Sequence, residues 1–441
     1  MPASRIAQTA ARGALIAAPS SGAGKTTTTL SLLRALKNSG RSVASAKSGP
    51  DYIDPKFHEA ATGHPCINLD AWAMDRQTLR SLVTNQASGH DYFLVEGAMG
   101  LFDGAANGKG AAAELAATLN LPVVLVVDCA RQAQSIAALV HGFQSYRADV
   151  SITGVIFNRV GSSRHESMLR RALEPMQVKV LGALPRLKEL TLPERHLGLV
   201  QAGEHQDLEE FLEQAAAICA DHIDLQLLEK TTSDVSAIDS ADRSLPVPLG
   251  QKIAIARDVA FAFSYPHLLD FWQTQGAELS FFSPLANEGP VKESDAVFLP
   301  GGYPELYAGK LASAEHFGTG LRNAARAGKL IYGECGGYMT LGTGLIDASG
   351  ERHEMLGLLP LETSFETRKR HLGYRKLQPL GGLPWTGKIA AHEFHYASIV
   401  SEGDATRLFK AEDAEGNVLP DMGLQQGTVM GSFAHVISCA E

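Results

Sequence analysis

The chain has 441 residues, more than one hydrophobic core ordinarily organises, so two domains are expected. Its composition, 45% hydrophobic and 20% charged, is that of a soluble globular protein. A net charge of −9 argues against a nucleic-acid or acidic-membrane partner, though a local basic pocket for a small anion stays open.

The five cysteines, at 66, 129, 219, 335 and 439, form no CxxC pair, so neither a zinc site nor a disulfide framework is indicated, which suits a reducing cytoplasm. No apolar run approaches the roughly 20 residues of a membrane span. The run near the N-terminus, ALIAAP, is too short for a signal peptide.

From the N-terminus, apolar β-rich runs alternate with helical spacing. Ala14–Pro19, Val43–Ser48, Tyr92–Gly97, Val123–Asp128, Ile152–Asn158 and Val178–Pro185 read as buried strands. Thr28–Lys37, Ala111–Leu119, Gln134–Tyr146 and Arg164–Leu173 read as helices. That alternation predicts an α/β fold: a mostly parallel sheet with helices on both faces, binding ligands at the carboxyl ends of its strands.

The first strand runs into Ser20-Ser21-Gly22-Ala23-Gly24-Lys25-Thr26-Thr27. Here Gly22 and Gly24 let backbone N–H groups approach phosphate, Lys25 adds a full charge, and the Thr26 and Thr27 hydroxyls follow at the helix start. Thr26 is placed to ligate Mg²⁺, and the loop as a whole to bind ATP. Pro19 stands where the usual pattern has its first glycine. Two further strands end in acid-bearing loops, one with Asp51, Tyr52 and Asp54, the other with Glu96 and Asp103. Asp51 and Glu96 are candidate Mg²⁺ ligands beside the phosphate loop; turn formation is the competing role for such acids.

A polar, then Pro-rich stretch over 224–249 reads as a linker between an ATP-binding domain at 1–223 and a second α/β domain at 250–441. In the second, Lys252–Ala256, Glu278–Ser283, Ala296–Pro300 and Leu330–Gly333 read as strands. Strands after Met355 lack long intervening helices, which predicts a partly antiparallel edge. The run Gly333-Glu334-Cys335-Gly336-Gly337 predicts a strand turning sharply into a helix, with the thiol at the helix N-terminus. His435 follows a strand at Thr428–Gly431 and is the favoured base; His392 and His395 compete. Gly301 and Gly302, with Gly336, are candidates for an oxyanion hole.

Assembled in this order, APSSGAGKTT, KSGPDYIDPKFH, VEGAMGLFDG, NRVGSSRHE, LPGGYPE, GECGGYM and RHLGYR resemble the cobyrinic or hydrogenobyrinic acid a,c-diamide synthases of cobalamin biosynthesis. The match runs from Arg12 to His435. The resemblance implies a dethiobiotin-synthetase-like N-terminal domain and a class I glutamine amidotransferase-like C-terminal domain. It implies ATP, Mg²⁺ and glutamine, and a polycarboxylate corrin whose a and c acetates become amides, the metal-free ring being preferred. It also assigns Cys335 as nucleophile, His435 as its base, Gly24, Lys25 and Thr26 as phosphate ligands, and Asp51, Asp54, Glu96 and Asp103 as acids near metal and substrate, with Tyr52 beside them.

Many class I glutaminases carry a carboxylate two residues after the histidine; Ile437 stands there in this chain, and Glu393 is the candidate to orient His435 instead. The alternatives are a cobyric acid synthase-like enzyme amidating other corrin side chains, a dethiobiotin-type ligase, and an ATP-dependent regulatory protein with a vestigial glutaminase domain. A homodimer is the default assembly.

Overall fold

The computed structural model describes residues 10–186, 194–195, 198–199, 201–204, 207–235 and 243–440. The chain divides into two compact units, Met1–Arg243 and Ser244–Glu441.

In the first unit, β1 (Arg12–Ala17), β2 (Val43–Ser48), β3 (Cys66–Leu69), β4 (Tyr92–Glu96), β5 (Val123–Asp128), β6 (Ile152–Val160) and β7 (Lys179–Pro185) form a parallel sheet. The order is β3-β2-β4-β1-β5-β6-β7. The helices are α1 (Lys25–Asn38), α2 (Asp54–Thr62), α3 (Arg76–Ala87), α4 (Ala112–Leu119), α5 (Ile136–Tyr146), α6 (Ser163–Leu173) and α7 (Leu208–His222). A sheet covered on both faces buries every side chain of its central strands, and β1 and β5 are accordingly near-continuous apolar runs. The short strand β3 and helices α2, α3 and α7 were not anticipated. Four residues, CINL, carry too little periodicity to separate a strand from a loop.

The expected linker is corrected at its start. Leu225–Glu229 is helical, capped by Asp224, and Ser233–Asp234 pairs antiparallel with β1, so this part belongs to the first unit. Leu228 and Thr231 are buried there, which a polar composition hides. Residues 236–242 lie outside the described residues.

In the second unit, five parallel strands run in the order Glu278–Phe282, Lys252–Ala256, Ala296–Leu299, Leu330–Glu334 and Val429–Ser432. The sheet continues antiparallel through Val418–Gln426, Thr406–Asp413, His371–Pro379, Ile389–His395 and Ala434–Cys439. Each face has its own core: Ala254 and Ala256 join Phe261 and Phe317 on one, Ile253 and Ile255 join Trp272 on the other.

Successive strands Val429–Ser432 and Ala434–Cys439 occupy different places in this sheet. The first lies beside Leu330–Glu334, the second at the far end beside Ile389–His395. The sheet therefore curls back on itself at Phe433, and that curl brings His435 toward the strand bearing Cys335. His435 follows Val429–Ser432 and lies inside the next strand, opposite His392 in the ladder.

Candidate functional site

Two groups of functional side chains stand out, one in each unit. In the first, β1 delivers the glycine loop to the N-terminus of α1. Gly24 caps that helix with φ 86°, a conformation open to glycine, and a Cβ there would strike the Asn158 side chain. Asn158 in turn donates to Ala23 O at 2.9 Å, pinning the loop from β6. Gly22 also has positive φ, at 76°. Lys25 Nζ donates to Met99 O at 2.8 Å, so the loop after β4 holds the lysine. Burial holds the Lys25 ammonium below its ordinary pKa, with Glu96 pulling the other way.

Beneath the loop lies a buried charge cluster. Glu96, at the end of β4, accepts from Thr26 Oγ1 at 2.6 Å and Lys47 Nζ at 2.7 Å on one oxygen, and meets His58 Nε2 at 2.8 Å with the other. Lys47 also donates to Asp54 Oδ2 at 2.5 Å. Burial alone would neutralise Glu96, but Lys47 and His58 hold it well below the usual carboxylate range. His58 is pushed up to about 10: burial works against this, and Cys66 and Glu96 outweigh it. Asp54 is pushed up to about 6 by burial and by Asp51.

Lys47 and His58 were missed as site residues, yet both left a signal. Lys47 is a lysine in an otherwise uncharged, wholly buried strand, in register with Glu96, and His58 lies four residues after Asp54 on one helix face.

The other predicted acids have local duties. Asp51 Oδ1 accepts from the N–H groups of Ile53 and Asp54, at 2.7 and 3.1 Å, opening α2. Asp103 Oδ2 accepts from Gly100 N at 3.0 Å, closing its own turn. Tyr52 and Thr27 lie beside these loops, Tyr52 half-buried. For Mg²⁺, the adjoining oxygens of Thr26 and Glu96 are a hard-donor edge of the kind that ion takes, so this pair fits it.

In the second unit, Leu330–Glu334 ends at Cys335, whose φ of 46° and ψ of −104° make the strained turn expected of a nucleophile elbow. Gly337 allows the following helix, Gly336–Leu341, to press on Leu299 O, where any Cβ would collide. Cys335 N donates to Ser432 O at 2.8 Å, tying the elbow to the strand that leads into His435. Burial pushes the Cys335 thiol well up, opposed by the Gly336 N–H beside it. His435 is buried and held down to about 3, first by burial, then by His392 and His395.

The paired glycines serve this arrangement. A Cβ on Gly301 would strike the His435 ring, and one on Gly336 would crowd Gly302 N. The backbone of 301–302 thus packs against both the histidine and the elbow. Of the competing histidines, His395 bonds Glu393 at 3.0 Å and Ala397 O at 3.0 Å, and His392 faces the Tyr374 ring. Glu393 is corrected as the orienting group: Arg375 Nε holds it at 2.9 Å, and His395 takes its other oxygen. Glu334 Oε2 instead lies 3.8 Å from His435 Nδ1.

Residues 14–200 match the model of the CobQ/CobB/MinD/ParA nucleotide binding domain, and residues 252–441 that of the CobB/CobQ-like glutamine amidotransferase domain. A nucleotide-binding domain joined to a glutaminase domain defines a ligase that takes its amide nitrogen from glutamine.

Three relatives, each named hydrogenobyrinate a,c-diamide synthase, refine that class. The protein of Brucella anthropi is 59% identical over 433 residues, 98% of this chain and 99% of its own. That of a Sinorhizobium species is 56% identical, covering 97% and 99%, and that of Rhodobacter capsulatus is 49% identical, covering 97% and 99%. The chain belongs to the hydrogenobyrinate a,c-diamide synthase family. Among the described residues, no helix is long and apolar enough to cross a membrane.

Proposed function

We propose that the chain converts the a and c acetates of hydrogenobyrinate, a metal-free corrin, to amides, using ATP with Mg²⁺ and ammonia released from glutamine. The observation that carries this is the 59% identity over 98% of the chain to a protein of that name. A carboxylate is a poor electrophile at neutral pH. Transfer of the γ-phosphoryl group makes an acyl phosphate, and the protein's part is positioning and charge neutralisation. Lys25, with the N–H groups of the Gly22–Thr27 loop, receives the phosphates. Thr26 and Glu96 are the residues to hold Mg²⁺, which neutralises phosphate charge when bound. Asp51 completes the candidate metal set, and Tyr52, Asp54 and Asp103 sit at the strand ends where the corrin docks.

In the glutaminase site, Cys335 attacks the side-chain amide of glutamine. Its proton passes through His435 to the departing nitrogen, leaving a thioester that water hydrolyses. Ammonia freed within the protein stays unprotonated, whereas ammonium in bulk water has no lone pair for attack. A cobyric acid synthase-like activity has less support, because the relatives' names place the chemistry at a and c. A regulatory role would not need Cys335 and His435. The enzyme works in the cytoplasm, and a homodimer is its default assembly.

The test is amidation by the purified chain with ATP, Mg²⁺ and glutamine, offered hydrogenobyrinate or cobyrinate. Expected is diamide from the metal-free ring at higher kcat/KM. Equal or better turnover of the cobalt form would overturn the ring preference, and products amidated elsewhere would overturn the regiochemistry.

A further inference from the structure

The glutaminase site has a thiol and an imidazole, but position 437, where many related enzymes place the third group, holds Ile437. Its side chain is fully buried and its carbonyl accepts from His267. An imidazole acting as base needs a defined tautomer. The proton must sit on the nitrogen away from the thiol, and something must hold it there.

We infer that Glu334 is the positioning residue that does this, accepting the Nδ1–H of His435 so that Nε2 faces the thiol of Cys335. The inference rests on the glutaminase reading above and deepens it.

Three observations point the same way. Glu334 is an acid at a buried position, 4% exposed, ending a strand whose other residues are uncharged. A buried carboxyl without a task is costly, and nothing in packing calls for one there. Its Oε1 accepts from Val436 N at 3.0 Å, the residue next to His435, which fixes the carboxyl group against the histidine's own strand. Its Oε2 then lies 3.8 Å from His435 Nδ1. Closing that gap to a hydrogen bond takes a shift of about 1 Å, a tightening common when substrate enters.

The fold explains why the acid can come from the wrong side. In the usual arrangement, nucleophile and base lie on separate segments and the acid follows the base. Here the curl of the sheet lays Ala434–Cys439 against the end of Leu330–Glu334, so the residue before the nucleophile reaches the base instead.

The surroundings set where this group ionises, and the ionised carboxylate is the form that accepts Nδ1–H. Burial raises the Glu334 carboxyl to about 8, against the pull of Val436 N–H and the Tyr332 hydroxyl. His435 is faced by His392 and His395, which disfavour its charge, and by Glu393, which favours it. During reaction the Sγ–H bond of Cys335 breaks and its proton goes to Nε2. The imidazolium so formed is the state that Glu334 stabilises through Nδ1. The same Nε2 proton then passes to the leaving amide nitrogen, restoring neutral His435.

The test uses the full chain and glutamine hydrolysis alone, comparing wild type with Glu334→Gln and Glu334→Ala. Gln keeps the oxygen that Val436 N–H needs but cannot ionise. For Glu334→Gln, kcat should fall on the order of 10²-fold with KM within about twofold, and the wild-type pH dependence should flatten near neutrality. Glu334→Ala should lose at least as much, with alkylation of Cys335 by a glutamine-like chloroketone slowing in parallel. Unchanged kcat and pH profile in Glu334→Gln would overturn the role. So would losses in both variants that follow a lowered melting temperature, since that marks a structural residue. Absence of glutaminase activity in the wild type would instead count against the glutamine reading itself.

Discussion

The two sites solve opposite electrostatic problems. Around the phosphate loop, buried groups are held ionised: Glu96 is depressed by Lys47 and His58, and His58 is raised to about 10. At the elbow, the reacting pair is held neutral: His435 is lowered to about 3 and the Cys335 thiol pushed up. The difference follows from the chemistry. A triphosphate brings permanent charge, so a pre-charged cluster needs no rearrangement to meet it. Thiol attack creates charge only in passing, and a site neutral at rest avoids carrying an unpaired buried ion between turnovers.

The comparison is tested most severely by removing the centre of each site. Cys335→Ala should lower glutamine-dependent amidation on the order of 10³-fold or more, while amidation supported by high ammonium chloride persists. Lys25→Ala and Glu96→Ala should each lower amidation on the order of 10²-fold or more with either nitrogen source, while basal glutamine hydrolysis survives. Measuring both rates in all three variants separates the sites. Loss of both activities in Cys335→Ala would break the division of labour, and a Glu96→Ala enzyme with unchanged rate and Mg²⁺ dependence would remove Glu96 from the metal.

A smaller effect should appear in stability. His58 has a folded-state pKa of about 10, above its unfolded value of ~6.5. Its stabilising contribution is therefore complete below ~6.5 and is lost as pH rises through 10. His435 and His392 are lowered, to about 3 and about 4, so they penalise the fold as pH falls below ~6.5. The phosphate-loop cluster thus weakens on the alkaline side and the glutaminase histidines on the acid side. His58→Asn should flatten the fall in melting temperature between pH 7 and 10 relative to wild type. A wild-type fall no steeper than the variant's would show that His58 carries no charge in the folded protein.

How much of this was legible in the sequence depends on how local each signal is. The glycine loop and the elbow are contiguous: strand, glycines, reactive residue and helix follow one another, so Lys25 and Cys335 could be read directly. The groups that tune them are not. Glu96 meets Lys47 through register between β2 and β4, and Glu334 meets His435 only because the sheet curls at Phe433. Glu393 was the wrong choice to orient His435 because its neighbours Arg375 and His395 are invisible without strand pairing. The linker failed at its start for a similar reason. Ser233–Asp234 is polar in sequence, yet its backbone completes β1, and the Arg12 side chain meets Asp234 at 2.8 Å.

The smallest effect concerns the order of amidation, where the charged character of the first site should show most finely. Two acetates must pass through one phosphate loop, so the corrin must turn or leave between phosphorylations. A free monoamide follows wherever release outruns reorientation. The loops proposed to meet the ring are those ending β2 and β4, and each has an acid with a job inside the loop. Asp54 bonds Lys47, and Asp103 closes the turn at Gly100. Asparagine keeps an acceptor oxygen at either place and removes the charge, so the loops should hold their shape while their electrostatic grip on the substrate changes. Asp54→Asn, which also unbalances Lys47, should raise the monoamide fraction more than Asp103→Asn, each slowing the second amidation by a few-fold and leaving glutamine hydrolysis alone. A chromatographic time course of monoamide and diamide reads this directly. An unaltered partition in both active variants would assign these carboxylates to loop structure, and corrin placement to other residues.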